Sequence, residues 1–217
     1  MNSSADRERA LALVPVSRET EDRLDIYVSL LAKWLSVTNL ISPASFAEVW
    51  TRHIADSAQL QALAPDARTW VDMGAGAGFP GMVLAIQLAD RPEAKVHLIE
   101  SDQRKCAFLR EVARATGAAA QIHNERIEIA APKIPMPVDA VTARALAPLP
   151  RLLDFATLWL DQGAIGVFPR GRTADAQSSD FPKTPAFAFD FVKSRIDPTA
   201  QIVVARRARS SATSGDA

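Results

Sequence analysis

The spacing of apolar residues changes period along the chain. Between residues 19 and 35, Leu24, Tyr27, Val28, Leu31, Trp34 and Leu35 return at helical spacing, which predicts an amphipathic helix ending near Asn39. Ser45-Phe-Ala-Glu48 reads as a capping box opening a second helix to about Leu63, with Phe46, Val49, Trp50, Ile54 and Leu60 apolar. Residues 1–16 are expected to be frayed or weakly helical. From residue 69 the pattern alternates. Strands are predicted at 69–74, 95–100, 119–123, 138–145 and 164–168. Helices are predicted at 80–88, at 102–116 closed by Gly117, and at 149–160. Strands spaced by helices imply βαβ units and a parallel sheet covered on both faces. Residues 173–185 read as a loop. Segments 186–193 and 201–206 have no helix between them and are expected to pair antiparallel at the sheet edge. The polar stretch 208–217 has the composition of a disordered tail. The expected fold is a single α/β domain with N-terminal helices at 1–68, a core at 69–207 and a tail at 208–217.

Residues 71–81, Val-Asp-Met-Gly-Ala-Gly-Ala-Gly-Phe-Pro-Gly, organise this pattern. A strand that ends in glycines and restarts as a helix brings unobstructed backbone and free N–H groups to a ligand. Pro80 suits the first helical turn, where its missing N–H has no partner to lose. The alternative is a tight turn with no ligand, but this many glycines exceed what a turn needs. Gly76-x-Gly78-x-x-Gly81 fits the dinucleotide pattern, and Gly74-x-Gly76-x-Gly78 fits the loop that binds S-adenosylmethionine (SAM). Both place an acidic residue after the next strand to accept the ribose hydroxyls. That residue is Glu100, so the loop and Glu100 imply an adenosine-containing cofactor without separating NAD from SAM. The expected edge pair of strands favours SAM: it resembles the Rossmann-like SAM-dependent methyltransferase fold, and little chain remains for a dehydrogenase's substrate domain.

Composition narrows the setting. The chain has 217 residues, 48% of them hydrophobic, with no formal net charge. The charge is uneven, −5 over residues 1–103 and +5 over 104–217, so the second half is the better match for a polyanion. Cys106 is the only cysteine, which excludes an intrachain disulfide and a cysteine zinc site. His53, His97 and His123 lack metal-ligand spacing, and no metal is expected. Neither a secretory signal nor a run long enough to span a membrane is visible. The expected setting is soluble and cytoplasmic, with no membrane partner and a monomeric state.

Several stretches together resemble the RsmG family, also called GidB, of bacterial 16S rRNA guanine-N7 methyltransferases. They are Asn39-Leu-Ile, Arg52-His53-Ile-Ala-Asp56-Ser57 and the loop from Asp72 to Gly81. They continue with Glu100-Ser101, Lys105-Cys-Ala-Phe-Leu-Arg110, Asn124-Glu-Arg126-Ile-Glu128 and Ala143-Arg144-Ala145. The resemblance covers about residues 37–171. It implies methyl transfer from SAM to N7 of a guanine, guanine 527, with 16S rRNA or the 30S subunit as partner. It places cofactor contacts on Gly74, Phe79, Ile127, Glu128 and Arg144, beside the loop glycines Gly76 and Gly78 and Glu100. The family often has Lys-Gly after the fifth strand, where this chain has Arg170-Gly171 behind Pro169. Arginine keeps the charge but changes the hydrogen-bonding geometry.

Guanine N7 carries a lone pair and no proton at neutral pH. Its attack on a sulfonium methyl needs no general base, so positioning is expected to dominate, with Arg144 the candidate positioning residue. The target base must be single-stranded or flipped. Arg126, Arg170 and Arg172 are candidates for RNA contact. Arg126 has the alternative of pairing with Glu125 or Glu128. Arg206, Arg207 and Arg209 read as a solvated tail, with an RNA-facing tail as the alternative, His53 and Asp56 as ties between the N-terminal helices and the core, and Asp72 as a brace for the glycine loop. Trp34, Trp50 and Trp159 read as core. Two other functions stay open at this level: an NAD-dependent oxidoreductase, and a non-catalytic SAM- and RNA-binding module.

Overall fold

The computed structural model describes residues 3–171 and 186–208. Seven strands form one sheet: β1 (Thr69–Met73), β2 (Lys95–Ile99), β3 (Ala120–His123), β4 (Ala140–Thr142), β5 (Ile165–Arg170), β6 (Phe187–Lys193) and β7 (Gln201–Arg207). Their order is β3-β2-β1-β4-β5-β7-β6. The first five are parallel, and β7 runs antiparallel to both β5 and β6. The expected parallel sheet with a late antiparallel pair is therefore present, with β7 inserted between β5 and β6.

Strand alternation sorts the side chains into two layers. Trp70, Val96 and Leu98 face a core shared with α2 (Arg18–Trp34), α5 (Gly81–Gln87) and α6 (Gln103–Thr116). Val71, Met73 and Ile99 face the opposite core, built on α7 (Leu149–Leu160). Period-two alternation with both faces apolar is the pattern of a sheet covered on both sides. α6 has the expected limits. Asp102 caps it by accepting from the Arg104 and Lys105 amides at 2.8 and 3.0 Å, and Gly117 ends it at φ +63°. Trp50 and Trp159 are buried as expected. Trp34 is only half-buried and donates Nε1 to Glu111 at 2.8 Å.

The N-terminal third departs from the sequence reading. Residues expected to be frayed or weakly helical form the full helix α1 (Ser3–Leu13). Arg7 of α1 donates to Asp25 and Glu21 at 2.9–3.0 Å, and the Asp6 carboxylate accepts from the Trp50 amide at 2.9 Å and the Thr51 hydroxyl at 2.6 Å. Long-range partners, invisible to local periodicity, order this helix. The cap of the next segment is Ser42 rather than Ser45, because Pro43 occupies the first turn of α3 (Pro43–Phe46) and Ser42 Oγ accepts from the Ser45 amide. The long helix expected to reach Leu63 is broken into a π-helical turn (Trp50–Ala55), the short α4 (Asp56–Ala58) and a 3-10 turn (Gln59–Leu63).

Other differences are smaller. α5 begins at Gly81, so Pro80 is its N-cap rather than its first residue. β4 is shorter than expected, ending at Thr142. Arg206 and Arg207 belong to β7 rather than to a tail, and their guanidinium groups meet Asp190 and Asp161 at 2.6 and 3.3 Å. Ala208 still donates its amide to Ala186. The expected loop 173–185, Arg172 and the tail from 209 onward lie outside the described residues. No helix among the described residues is long and apolar enough to cross a membrane.

Candidate active site

The strand order reverses between β1 and β4, so the chain leaves these neighbours in opposite directions and opens a crevice at their carboxyl ends. A cavity of about 390 Å³ fills that crevice, a volume suited to a small-molecule cofactor. Each parallel strand from β1 to β4 delivers residues to it: Gly74 and Gly76 after β1, Glu100 and Ser101 after β2, Glu125 to Glu128 after β3, and Arg144 to Leu146 after β4.

The glycine loop is held from several directions. Gly76 sits at φ +58° and donates its amide to Glu100 Oε2 at 2.9 Å. Glu100 Oε1 accepts from the Asp102 amide at 2.8 Å. Each carboxylate oxygen thus has one donor and keeps a lone pair for a ligand hydroxyl. Asp72 Oδ2 accepts from the Gly81 amide at 2.8 Å, which ties the end of β1 to the start of α5. Burial pushes the Asp72 carboxyl up to about 7, against the opposing effects of the Gly81 amide and Arg144. The Tyr27 hydroxyl donates to the Ala77 carbonyl at 2.5 Å, so α2 grips the loop from behind.

Six of the eight expected cofactor residues line the cavity: Gly74, Gly76, Glu100, Ile127, Glu128 and Arg144. The structure does not bring Gly78 and Phe79 to it. Gly78, at φ +99°, faces Met82 and the Tyr27 hydroxyl, where an added Cβ would sit 2.7 and 2.8 Å away. Phe79 is buried between the Tyr27 ring at 5.3 Å and the stacked His53 ring at 4.8 Å, with Arg144 lying 5.3 Å over its face. It supports Arg144 from below.

The RNA-contact candidates separate. Arg126 lines the cofactor cavity, and its proposed partner Glu125 is held instead by Lys133 at 2.7 Å. Arg170 is the last residue of β5, donates to the Ala147 carbonyl at 3.1 Å, and lines a neighbouring cleft of about 280 Å³. Arg144 belongs to the walls of both spaces. Its guanidinium donates to His53 Nδ1 at 2.7 Å and to the Arg52 carbonyl at 3.2 Å, and lies 3.5 Å from Asp56 Oδ2. Three of these partners come from one π-helical turn and the residue after it, a rare geometry that recurs at functional sites. Burial, reinforced by Arg144 and then Arg52, lowers the His53 pKa to about 3. Its ring is therefore neutral, with Nδ1 the acceptor. Burial raises the Asp56 carboxyl, and Arg144 opposes that shift.

Sequence reasoning missed Lys105, Leu146 and Phe155, which also line the cavity. Lys105 stands in the first turn of α6, just past Glu100, and that placement was a usable signal. Leu146 and Phe155 carry none, since an apolar residue lining a cavity reads like one in the core. The residues present fit SAM: a carboxylate for the ribose, apolar faces on Ile127 and Phe155, and bare backbone at Gly74.

Comparison with known proteins gives this geometry a family. The family model for rRNA small subunit methyltransferase G, GidB, matches residues 20–197. The chain belongs to this family. It is 50% identical over 202 residues to ribosomal RNA small subunit methyltransferase G of Methylobacterium nodulans, covering 93% of this chain and 95% of that protein. It is 52% identical over 180 residues to the protein of that name from a Bradyrhizobium species, covering 83% and 81%. Among solved structures it is similar to the O-methyltransferase TomG of Streptomyces achromogenes, in complex with SAM, with a TM-score of 0.61, 15% identity, and coverage of 95% and 96%. That likeness shows the fold.

Proposed function

We propose that this protein transfers the methyl group of SAM to N7 of a guanine in 16S rRNA, guanine 527 by the family resemblance. The observation that carries the reading is the cofactor cavity at the β1–β4 reversal, in a chain of the methyltransferase G family. SAM, when bound, supplies an electrophilic methyl group. Glu100 accepts the ribose hydroxyls, Ile127 and Phe155 flank the adenine, and the Gly74 backbone leaves room for the methionine. Glu128 lies at the adenine side. Arg144 fixes the boundary between cofactor and base, and Arg126, Arg170 and Arg172 attract RNA phosphate. No residue has to take a proton, because N7 has none to give. An rRNA substrate places this work in the cytoplasm, and the chain acts there as a monomer.

The decisive experiment uses tritiated SAM with 16S rRNA and with 30S subunits from a strain lacking the enzyme. Label on N7 of one guanine is the expected result. SAM binding by calorimetry with no label on either substrate overturns the reading and leaves a binding module.

A further inference from the structure

The cleft across Arg144 from the cofactor cavity has an unusual combination of walls. Pro169, Ile196 and Ile202 give it apolar surfaces, and Arg52 and Arg170 supply positive charge. A carboxylate, Asp56, also faces it, with 23% of the side chain exposed. A site for phosphate alone gains nothing from that carboxylate. The other acid of the cleft, Asp197, has Oδ1 engaged by the Thr199 amide and hydroxyl at 2.9 and 2.6 Å.

Asp56 is held in place without being saturated. Its Oδ1 accepts from Gln59 Nε2 at 2.9 Å, and its Oδ2 lies 3.5 Å from Arg144 Nη1. Gln59 is itself locked, donating to Ser194 Oγ at 3.1 Å and accepting from the Arg195 amide at 2.9 Å. A carboxylate has about four acceptor positions, so at least two remain for a ligand.

We infer that this cleft receives the target guanine and that the Asp56 carboxylate reads its Watson–Crick edge. The inference rests on the N7-methylation reading above. Guanine presents two donors side by side on that edge, N1–H and the N2 amino group, and a carboxylate accepts both. Adenine presents an acceptor at N1, which the carboxylate repels. The edge that binds Asp56 is not the edge that carries N7, so reading the base leaves the nucleophile uncovered. As the N7 lone pair forms its bond to the methyl carbon, the carbon–sulfur bonding pair returns to sulfur and the purine becomes cationic. N1–H and N2–H then become stronger donors, and their attraction to a carboxylate grows toward the transition state, which is the condition for catalysis. Asp56 thereby serves guanine selection and rate through the same contacts.

The test compares 16S rRNA carrying guanosine or inosine at the mapped target, under single-turnover conditions, with wild type, Asp56→Asn and Asp56→Ala. Inosine keeps N1–H and lacks the N2 amino group. Wild type is expected to be slowed roughly tenfold or more by inosine. Both variants should slow on guanosine by about 10- to 100-fold, with the guanosine-to-inosine ratio falling toward one. SAM binding, by calorimetry, should persist in both variants and weaken far less than the guanosine rate, since Asp56 reaches the cofactor cavity only through Arg144, and it also shows that each variant is folded. Asp56 acting only as a support for Arg144 would lower both rates alike and leave the ratio intact, which overturns the inference. Equal rates of wild type on the two RNAs overturn it without any variant. A wild type that labels no guanine overturns the functional reading itself, and this inference with it.

Discussion

At the scale of single residues, the site holds two ionisable groups whose surroundings shift them in opposite directions of consequence for stability. His53 is neutral in the folded chain, with a pKa lowered from 6.5 to about 3 by burial and the neighbouring arginines. Between those values the unfolded chain binds more protons, so this residue's stabilisation is complete above about 6.5 and is lost as pH falls. Asp72 is the reverse. Its pKa is raised from 3.8 to about 7, so the folded state holds the extra proton and stability is lost as pH rises through that window. Thermal melts from pH 4 to pH 8 separate the two. His53→Gln should show a shallower loss of melting temperature toward pH 4 than wild type. Asp72→Asn, which keeps an acceptor for the Gly81 amide, should gain on wild type as pH rises toward 8. Slopes identical to wild type in both variants would mean that neither group is perturbed. The pairing of His97 Nδ1 with His123 Nε2 at 2.9 Å adds to the acid limb, since burial lowers both, His97 to about 4.

At the scale of elements, the glycine loop divides into a ligand face and a packing face. Gly74 and Gly76 line the cavity, where a Cβ on Gly76 would have space and one on Gly74 would meet only the flexible Leu146 side chain of the same wall, at 2.7 Å, whereas Gly78 has φ +99° and no room for a Cβ between Met82 and Tyr27. Gly117, at φ +63°, faces open space. Gly117→Ala should therefore cost about 1 kcal/mol from backbone strain alone. Gly78→Ala should cost more, about 2–4 kcal/mol, because strain and overpacking combine. Urea titrations of the two variants measure the difference, and equal costs would place Gly78 on the ligand face after all. The glycine spacing in the sequence identified the loop but not this division, because the occupant behind Gly78 is Tyr27, on a helix roughly fifty residues earlier. The same limit explains Phe79, read as a cofactor wall and found under Arg144. Glu100 was legible because an acid after the second strand has one geometric consequence in this fold. The sheet was legible from its apolar runs, including the antiparallel edge. The π-helical turn was not, since its residues keep helical apolar spacing while tertiary contacts to Asp6 and Arg144 set its backbone.

At the scale of the whole molecule, α1 and α2 are structural parts of the site, although the glycine loop and the sheet carry the cofactor cavity. Ala10, Leu24, Tyr27 and Leu31 lie in the same apolar cluster as Leu84 and Leu109. Asp6 holds the first residues of the π-helical turn, which in turn supplies Arg52 and His53 to Arg144. A chain of contacts this short couples the N-terminus to the boundary between the two cavities and predicts one cooperative unfolding unit. Tryptophan fluorescence reports on both ends, through Trp34 and Trp50 before the sheet, Trp70 in β1 and Trp159 on the helix that covers the sheet, while far-ultraviolet circular dichroism averages the whole. The two signals should follow a single urea transition, and saturating SAM should move it to higher urea without splitting it. Asp6→Ala should lower the midpoint by the equivalent of about 1–3 kcal/mol, because it strips the buried Trp50 amide and the Thr51 hydroxyl of their acceptor. The slope should not change. An N-terminal segment that merely rests on the core would melt first and give two transitions, and Asp6→Ala would then shift only the earlier one. In that case the hold on Arg144 would have to come from His53 and Asp56 without help from α1.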